Sequence, residues 1–480
     1  MKRALVVAMV VALAVAGGAA AFDNTEPYAA QQWYLTQDEA WSFWPTQPTL
    51  APVKVAVVDS GIDVGHPEFR GRIAAGRSFV RSTWKEDSDG HGTFVAGEIA
   101  ADPSNGVGIA GIAFNAQLLI AKVVQPDGNV SLDGEVRAIR WAVAEGARVI
   151  NLSLGGTRDP QDPRIDAYSP AEAAAVAYAV SKGVVVVAAA GNGPEAPATP
   201  WNYADYPAAL PHVIGVGALR QNGSVPDYSD RDPVFVDIAA PGDAIFSTIP
   251  RNLIDTSQPS CVGVPYSSCG PLEYRDAIGT SFAAPQVSAA AALLLGVDPT
   301  LSSDQVAWLL ERGARDVNAS DGCAACPNGR DSLTGWGRLD VQSSLTLLET
   351  HVYPPPDAYE PNDDAGMLAH AFGPARTISA SVDYWDDPTD VYSLVLRKGE
   401  KLFARLTPGA RLGLVLWKPG TVSVSPPRAV TADQAVVAKR VGGQLRLAYV
   451  APVRGIYFLQ VKVGVPSRMP TRYHLAVAGH

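Results

Sequence analysis

The stretch VKVAVVDSG, residues 53–61, is apolar over most of its length, reaches Asp59 and breaks at Ser60 and Gly61. A short run that is apolar on both faces and ends on a polar residue reads as a buried strand of a parallel sheet. The same pattern returns in AQLLIAKVV (116–124), ARVINLSLG (147–155), GVVVVAAAGN (183–192) and HVIGVGAL (212–219). Between them lie SLDGEVRAIRWAVAEG (131–146) and SPAEAAAVAYAVSKG (169–183), helical segments that each close on a glycine suited to a left-handed C-cap. This rhythm predicts an α/β fold, a doubly wound, mostly parallel sheet with helices on both faces. In such sheets chemistry sits beyond the carboxyl ends of the strands, so Asp59, Ser153 and Asn192 should gather on one rim.

Toward the C-terminus, Ser302 and Gln305 match a capping box at the start of SSDQVAWLLERGA, and GWGRLD (335–340) turns into a short final helix. HVYPPPDAYEPNDDAG (351–366) is proline-rich and then acidic, an extended linker. Beyond it DVYSLVLRKG, KLFARLTPG, RLGLVLWKPG, QLRLAYVAP and GIYFLQVKVG alternate apolar and polar residues between Gly/Pro turns, which predicts a small antiparallel β-sandwich. The expected organisation is a signal segment over 1–21, an α/β domain over 22–349, a Pro-rich linker over 350–358 and an all-β domain over 359–480.

The first 21 residues place Lys2 and Arg3 ahead of an apolar run that ends in alanines, the layout of a cleavable secretion signal. Export is expected, with no stable membrane span once that segment is removed. With 47% hydrophobic residues, 18% charged residues and a formal charge of -10, the 480-residue chain has an ordinary globular composition and no basic patch for nucleic acid. Cys261, Cys269, Cys323 and Cys326 suit an exported protein with two disulfides. Local pairs 261–269 and 323–326 leave the shortest loops, although three pairings exist formally.

Three segments supply chemistry when read together: VVDSGID around Asp59, DGHGTFVAG around His91 and AIGTSFAAP around Ser281. Singly, Asp59 reads as a turn residue, His91 as a helix-start histidine and Ser281 as a helix N-cap. A serine hydroxyl becomes a nucleophile when an imidazole takes its proton, and the imidazole needs a carboxylate to fix its tautomer and stabilise its cation. Flanking Gly61, Gly92 and Gly279 mark close backbone approach, and Asp, His, Ser is one of the known triad orders. Ser281 is therefore read as both helix start and nucleophile.

These motifs, D-S-G, H-G-T and G-T-S-F-A-A-P, resemble those of the subtilisin-like serine endopeptidases, over roughly residues 32–348. The resemblance implies a peptidase that needs no cofactor for catalysis, acts on polypeptides and works as a monomer. Asp59 would orient, His91 would act as base and then acid, Ser281 would attack, and Asn192 in AAAGNG would stabilise the oxyanion. It also implies a substrate strand at Ser153, Leu154 and Gly155, and a pocket for the residue before the scissile bond walled by Ala189, Ala190 and Gly191. If ADYPAALPHVIGVG (204–217) is aligned with the family, Asp205 floors that pocket and favours lysine or arginine; the other reading is a solvated loop aspartate.

Calcium is expected as a structural ion, because NGVGIAG (105–111) resembles the family's calcium loop and HPEF (66–69) sets Glu68 at a ligand position. Asn105, the carbonyls of Val107 and Ile109, and Gln32 complete the expected set, in a loop one residue longer than usual. Two departures stand out. QQWYLTQDEAW (31–41), which resembles a mature N-terminus, follows the signal segment with no room for a pro-domain, and RNLIDTSQPSCVGVPYSSCGPLEYRDA (251–277) is an insertion expected near the active site. The C-terminal part resembles the bacterial pre-peptidase C-terminal domain through Y-E-P-N-D and D-V-Y. There Asp383, Asp386, Asp387 and Asp390 read either as a calcium cluster or as a solvated acidic turn.

Overall fold

A computed structural model describes residues 24–41, 43–44, 46–125, 127–255, 257, 272–372, 377–425, 428–467 and 469–479. The signal segment and the pair Cys261 and Cys269 lie outside them, as does most of the 251–277 insertion.

The apolar runs become strands where expected: β1 (Val53–Asp59), β3 (Ala116–Lys122), β4 (Val149–Leu152), β5 (Val185–Ala189) and β6 (Val213–Leu219). With β2 (Ile73–Ser78) and β7 (Ile238–Pro241) they form a seven-stranded sheet in the order β2-β3-β1-β4-β5-β6-β7, and every pairing is parallel. Strand β2 escapes the sequence pattern because it is half exposed at an edge, and β7 because it is only four residues long. A two-stranded antiparallel ribbon, β8 (Ile245–Thr248) with β9 (Tyr274–Ala277), leads into the serine helix.

After the short α1 (Trp33–Gln37), helices α2 (His91–Ala100), α5 (Thr280–Val297), α6 (Ser303–Gly313) and α7 (Val341–Glu349) share one face of the sheet, while α3 (Leu132–Ala144) and α4 (Pro170–Val180) cover the other. Both faces of β1 are thereby buried, which is why its sequence lacks alternation. The predicted caps form. Gly146 takes φ 82° after α3, its N–H reaching Val143 O while that of Ala147 reaches Ala142 O, and Ser302 and Gln305 make the reciprocal box of α6. Helix α5 is long and apolar enough to cross a membrane, but it is the central core helix of the α/β body, buried over almost its whole length.

The chain then turns to β-structure. Strands β10 (His370–Ala371), β12 (Thr389–Leu396), β18 (Gly455–Val463), β14 (Leu412–Trp417) and β15 (Gln434–Val437) form one sheet. Strands β11 (Thr377–Val382), β19 (Thr471–Gly479), β13 (Lys401–Thr407), β17 (Gln444–Val450) and β16 (Lys439–Val441) form the other. Their inward residues, among them Leu406, Leu416, Tyr457, Leu459 and Leu475, make a separate core, as alternating strands require.

The seam between the two bodies corrects one sequence reading. Asp383 and Asp390 are buried rather than solvated. Arg312 of α6 lies 3.5 Å from Asp386 and 3.7 Å from Asp383, with its guanidinium 3.6 Å from the centre of the Trp336 ring. Arg330 stacks on Trp385 from the sandwich at 4.1 Å. Nearby, both ring nitrogens of His212 meet carboxylates: Nδ1 lies 2.9 Å from Asp304, and Nε2 lies 3.1 Å from both Glu360 and Asp363. A neutral imidazole has one N–H, so this arrangement holds the imidazolium. Burial would push its pKa down, but Asp363 and Asp304 raise it well above the ordinary value.

Candidate active site

The strand ends deliver Asp59, Ser153 and Asn192 to one cleft of 760 Å³, which His91 and Ser281 also line. Asp59 is the last residue of β1 and His91 the first of α2, so the carboxylate and the imidazole meet where a strand ends and a helix begins. Both carboxylate oxygens of Asp59 lie 2.9 Å from His91 Nδ1. Asp59 Oδ1 also accepts the Ser60 N–H at 2.7 Å. Burial pushes the His91 pKa down, but Asp59, with help from Asp89 and Asp87, reverses this and holds it at about 9.

A scaffold the motifs did not reveal keeps this pair in place. Ser60 Oγ donates to Asp87 Oδ1 and accepts the Gly92 N–H, both at 2.8 Å, while Asp87 Oδ2 accepts the N–H and hydroxyl of Thr93. The signal was present in the hydroxyl of D-S-G and the first aspartate of DSDGHGT, but nothing in the sequence paired them. The backbone is as tight as the glycines implied: a Cβ at Gly92 would stand 2.4 Å from the Gly61 carbonyl oxygen.

Ser281 is the second residue of α5, and the N-cap is Gly279, which makes no side-chain cap bond. The helix-start reading therefore holds, while the capping reading of Ser281 does not. The Ser281 carbonyl accepts the Ser153 hydroxyl at 2.7 Å, tying the helix to the end of β4. Asn192 Oδ1 accepts the Thr280 N–H at 3.0 Å and the Thr280 hydroxyl at 3.2 Å, which leaves Nδ2 as its donor.

Beside the serine, Ser153, Leu154, Gly155, Ala189, Gly191 and Asp205 line the cleft. Ala190 instead turns into a small cluster with Ala204, Ala209 and Val236. Asp205 is 5% exposed, which excludes the solvated-loop reading. Its N–H donates to the Ala190 carbonyl at 2.8 Å, and Tyr206 and Gly156 exchange backbone bonds of 3.0 and 2.8 Å, so the segments at 155–156, 190–191 and 205–206 are one unit.

The chain matches the model of the subtilase family over residues 51–337. It belongs to that family. This subtilase is 35% identical over 271 residues to subtilisin DY of Bacillus licheniformis, covering 56% of this chain and 86% of that protein. It is 35% identical over 338 residues to thermitase of Thermoactinomyces vulgaris, covering 69% and 100%. Subtilisin E of Bacillus subtilis is 38% identical over 298 residues, covering 62% and 66%. A solved lanthipeptide protease superposes with a TM-score of 0.54 at 23% identity, covering 66% of this chain and 95% of that one, a likeness of fold. The subtilase is a serine-type endopeptidase.

The expected calcium ligands come together but do not fit an ion. Glu68 Oε1 accepts the Ile109 N–H and the Tyr274 hydroxyl, and Oε2 accepts Asn105 Nδ2, all at 2.9 Å. Asn105 Oδ1 accepts the Val107 N–H at 2.7 Å, and Gln32 Oε1 accepts the Ala110 N–H at 2.9 Å. The loop thus turns N–H groups toward the carboxylate where a hard cation needs carbonyl oxygens. Burial pushes Glu68 up to about 7. Of the expected disulfides, Cys323–Cys326 is formed.

Proposed function

We propose that the subtilase is a secreted endopeptidase that cleaves through an acyl-enzyme on Ser281. His91 Nε2 takes the Ser281 proton as Oγ attacks the peptide carbonyl, and Asp59 fixes the imidazole and stabilises its cation. The new oxyanion is received by Asn192 Nδ2 and the Ser281 N–H. His91 then returns the proton to the leaving amine, and water repeats the sequence to free the acid. The observation that carries this reading is His91 Nδ1 held by both oxygens of Asp59 in the cleft that also contains Ser281 and Asn192.

The backbone of Ser153, Leu154 and Gly155 pairs with an extended substrate, which recognises main chain and tolerates many sequences. The side chain before the scissile bond enters between Gly155 and Gly191, where Asp205 favours lysine or arginine. The signal-like segment 1–21 sends the chain out of the cell. A mixed peptide library digested by the protein from residue 22 onward, beside its Ser281→Ala twin, tests the reading. Cleavage by the wild type alone, with basic residues before the cuts, supports it. Equal cleavage by both, or none by either although both are folded, refutes it.

A further inference from the structure

The end of the sandwich opposite the seam carries cations and aliphatic side chains together. Strand β12 runs eight residues from Thr389, at the seam, to Leu396, a span of about 25 Å. Two turns cross from one sheet to the other at that far end, 397–400 between β12 and β13 and 451–454 between β17 and β18. They lie side by side: the Gly399 N–H donates to the Ala451 carbonyl at 2.8 Å, and the Ala451 N–H to the Glu400 carbonyl at 2.9 Å.

Around these turns Val395, Val450, Val453 and Ile456 are each more than half exposed. Val395 stands directly opposite Ile456, and Val450 opposite Lys401. Arg397, Lys398, Lys401 and Arg454 are exposed among them, and among the described residues none of the four makes an ion pair. The one carboxylate of the two turns, Glu400, accepts the Arg397 N–H at 2.7 Å.

The same sign continues along the neighbouring sheet. Beyond Lys401, strands β11, β19, β13, β17 and β16 contain Arg405, Lys439, Arg440, Arg446 and Arg472 and no Asp or Glu. Arg405 is opposite Arg446, and Arg446 is opposite Lys439, an opposition of like charges that costs stability unless an anion lies over it. In a chain of net charge -10, positive charge is thus gathered on one end and one face of the sandwich. It comes from turns and strands far apart in the chain, so no basic run marks it in the sequence.

A soluble polyanion would satisfy the cations and leave the aliphatic side chains in water. The surface of an anionic bilayer satisfies both, because apolar side chains enter the headgroup boundary while lysine and arginine meet the lipid phosphates. We propose that this end of the sandwich docks on the surface of an anionic phospholipid membrane, with Val395, Val453 and Ile456 in the headgroup layer and Arg397, Lys398 and Arg454 against the phosphates. The docking is independent of the triad.

In the test, the Ser281→Ala chain from residue 22 onward is sedimented with vesicles of phosphatidylcholine alone and of equal parts phosphatidylcholine and phosphatidylglycerol. It is expected to bind the mixed vesicles only, and more weakly as salt rises. Lys398→Gln with Arg454→Gln is expected to weaken binding about thirtyfold, at about fivefold for each cation removed from an anionic surface. Val453→Ser with Ile456→Ser is expected to weaken vesicle binding while leaving capture on heparin unchanged. All four positions are exposed, so both pairs of substitutions are expected to keep the parent melting temperature. No binding to the mixed vesicles, or binding untouched by either pair, overturns the proposal. Retention on heparin without vesicle binding, or loss of vesicle binding with the charge pair alone, assigns the surface to a soluble polyanion and overturns it as well.

Discussion

Replacing His212 with Asn removes the imidazole that meets three carboxylates at the seam while keeping a residue that tolerates its left-handed backbone, φ 59°. The His212 side chain is 2% exposed, and those of Glu360 and Asp363 are 5% and 6% exposed, so the imidazolium is the cation that two nearly buried carboxylates face. Removing one partner of a buried charge cluster costs about 3–5 kcal/mol. Asp304, 36% exposed, adds little. The sign with pH follows from Glu360, which burial raises to about 7 even though His212 pulls it down. Without the cation, Glu360 is tolerated beside Asp363 when protonated and repels it when ionised, so the loss is largest above about pH 7 and shrinks in acid. The assay is urea unfolding, with limited proteolysis of the Pro-rich segment 350–358, in a Ser281→Ala background chosen to prevent self-digestion. His212→Asn should lower the unfolding free energy by that amount at alkaline pH and release the sandwich faster. Equal stability at both pH values, or a greater loss in acid, would refute the reasoning.

As the proposed base, His91 must be neutral to act, and Asp59 holds it at about 9, so the acid limb of kcat/KM should fall on the alkaline side of an ordinary histidine; a pH–rate profile with its acid limb below 6.5 contradicts that. Asn192→Ala should lower kcat about a hundred- to a thousandfold with little change in KM, the loss known for this donor in subtilisin rather than one worked out from these distances. Glu172, packed on Glu135 between α3 and α4, is raised to about 7 by burial, so folding loses stability as pH rises from about 4.5 to 7. Glu172→Gln should reduce that slope in thermal melts, while Glu135, which burial also raises, keeps its own share of it. Since the Glu68 loop closes on N–H and O–H groups, a chelator should leave the melting temperature unchanged, and a marked fall would show that an ion replaces those bonds.

The sheet was legible where burial on two sides writes a long enough apolar run, as in residues 55–58 and 184–189, and the buried but four-residue β7 was too short to stand out. It was illegible in β2, whose exposed edge leaves no such run. That Asp59, His91, Ser281 and Asn192 meet in one cleft was legible because each stands at a strand end or helix start close to a glycine. The support that Asp87 and Ser60 give was not, since a supporting hydrogen bond depends on distance across the fold and leaves no spacing. The calcium ligands illustrate the converse: the residue types were present, but the direction of each N–H is a property of the loop backbone. The acidic run 383–390 could be read as a calcium cluster or a solvated turn because Arg312 and His212, which face it, lie far away in the chain.

Glu68 holds more than a loop. Tyr274, whose hydroxyl it accepts, stands seven residues before Ser281 on the ribbon that feeds the serine helix, and Ile109, whose N–H it accepts, follows the helix that begins at His91. One carboxyl therefore joins the approach to Ser281 with the chain that leaves the His91 helix, and it does so alongside the Ser247 and Thr248 hydroxyls, which bond the Phe94 and Thr93 carbonyls of that helix. Three separate side chains thus hold the two segments in register, so that weakening any one of them leaves the other two to keep the cleft assembled.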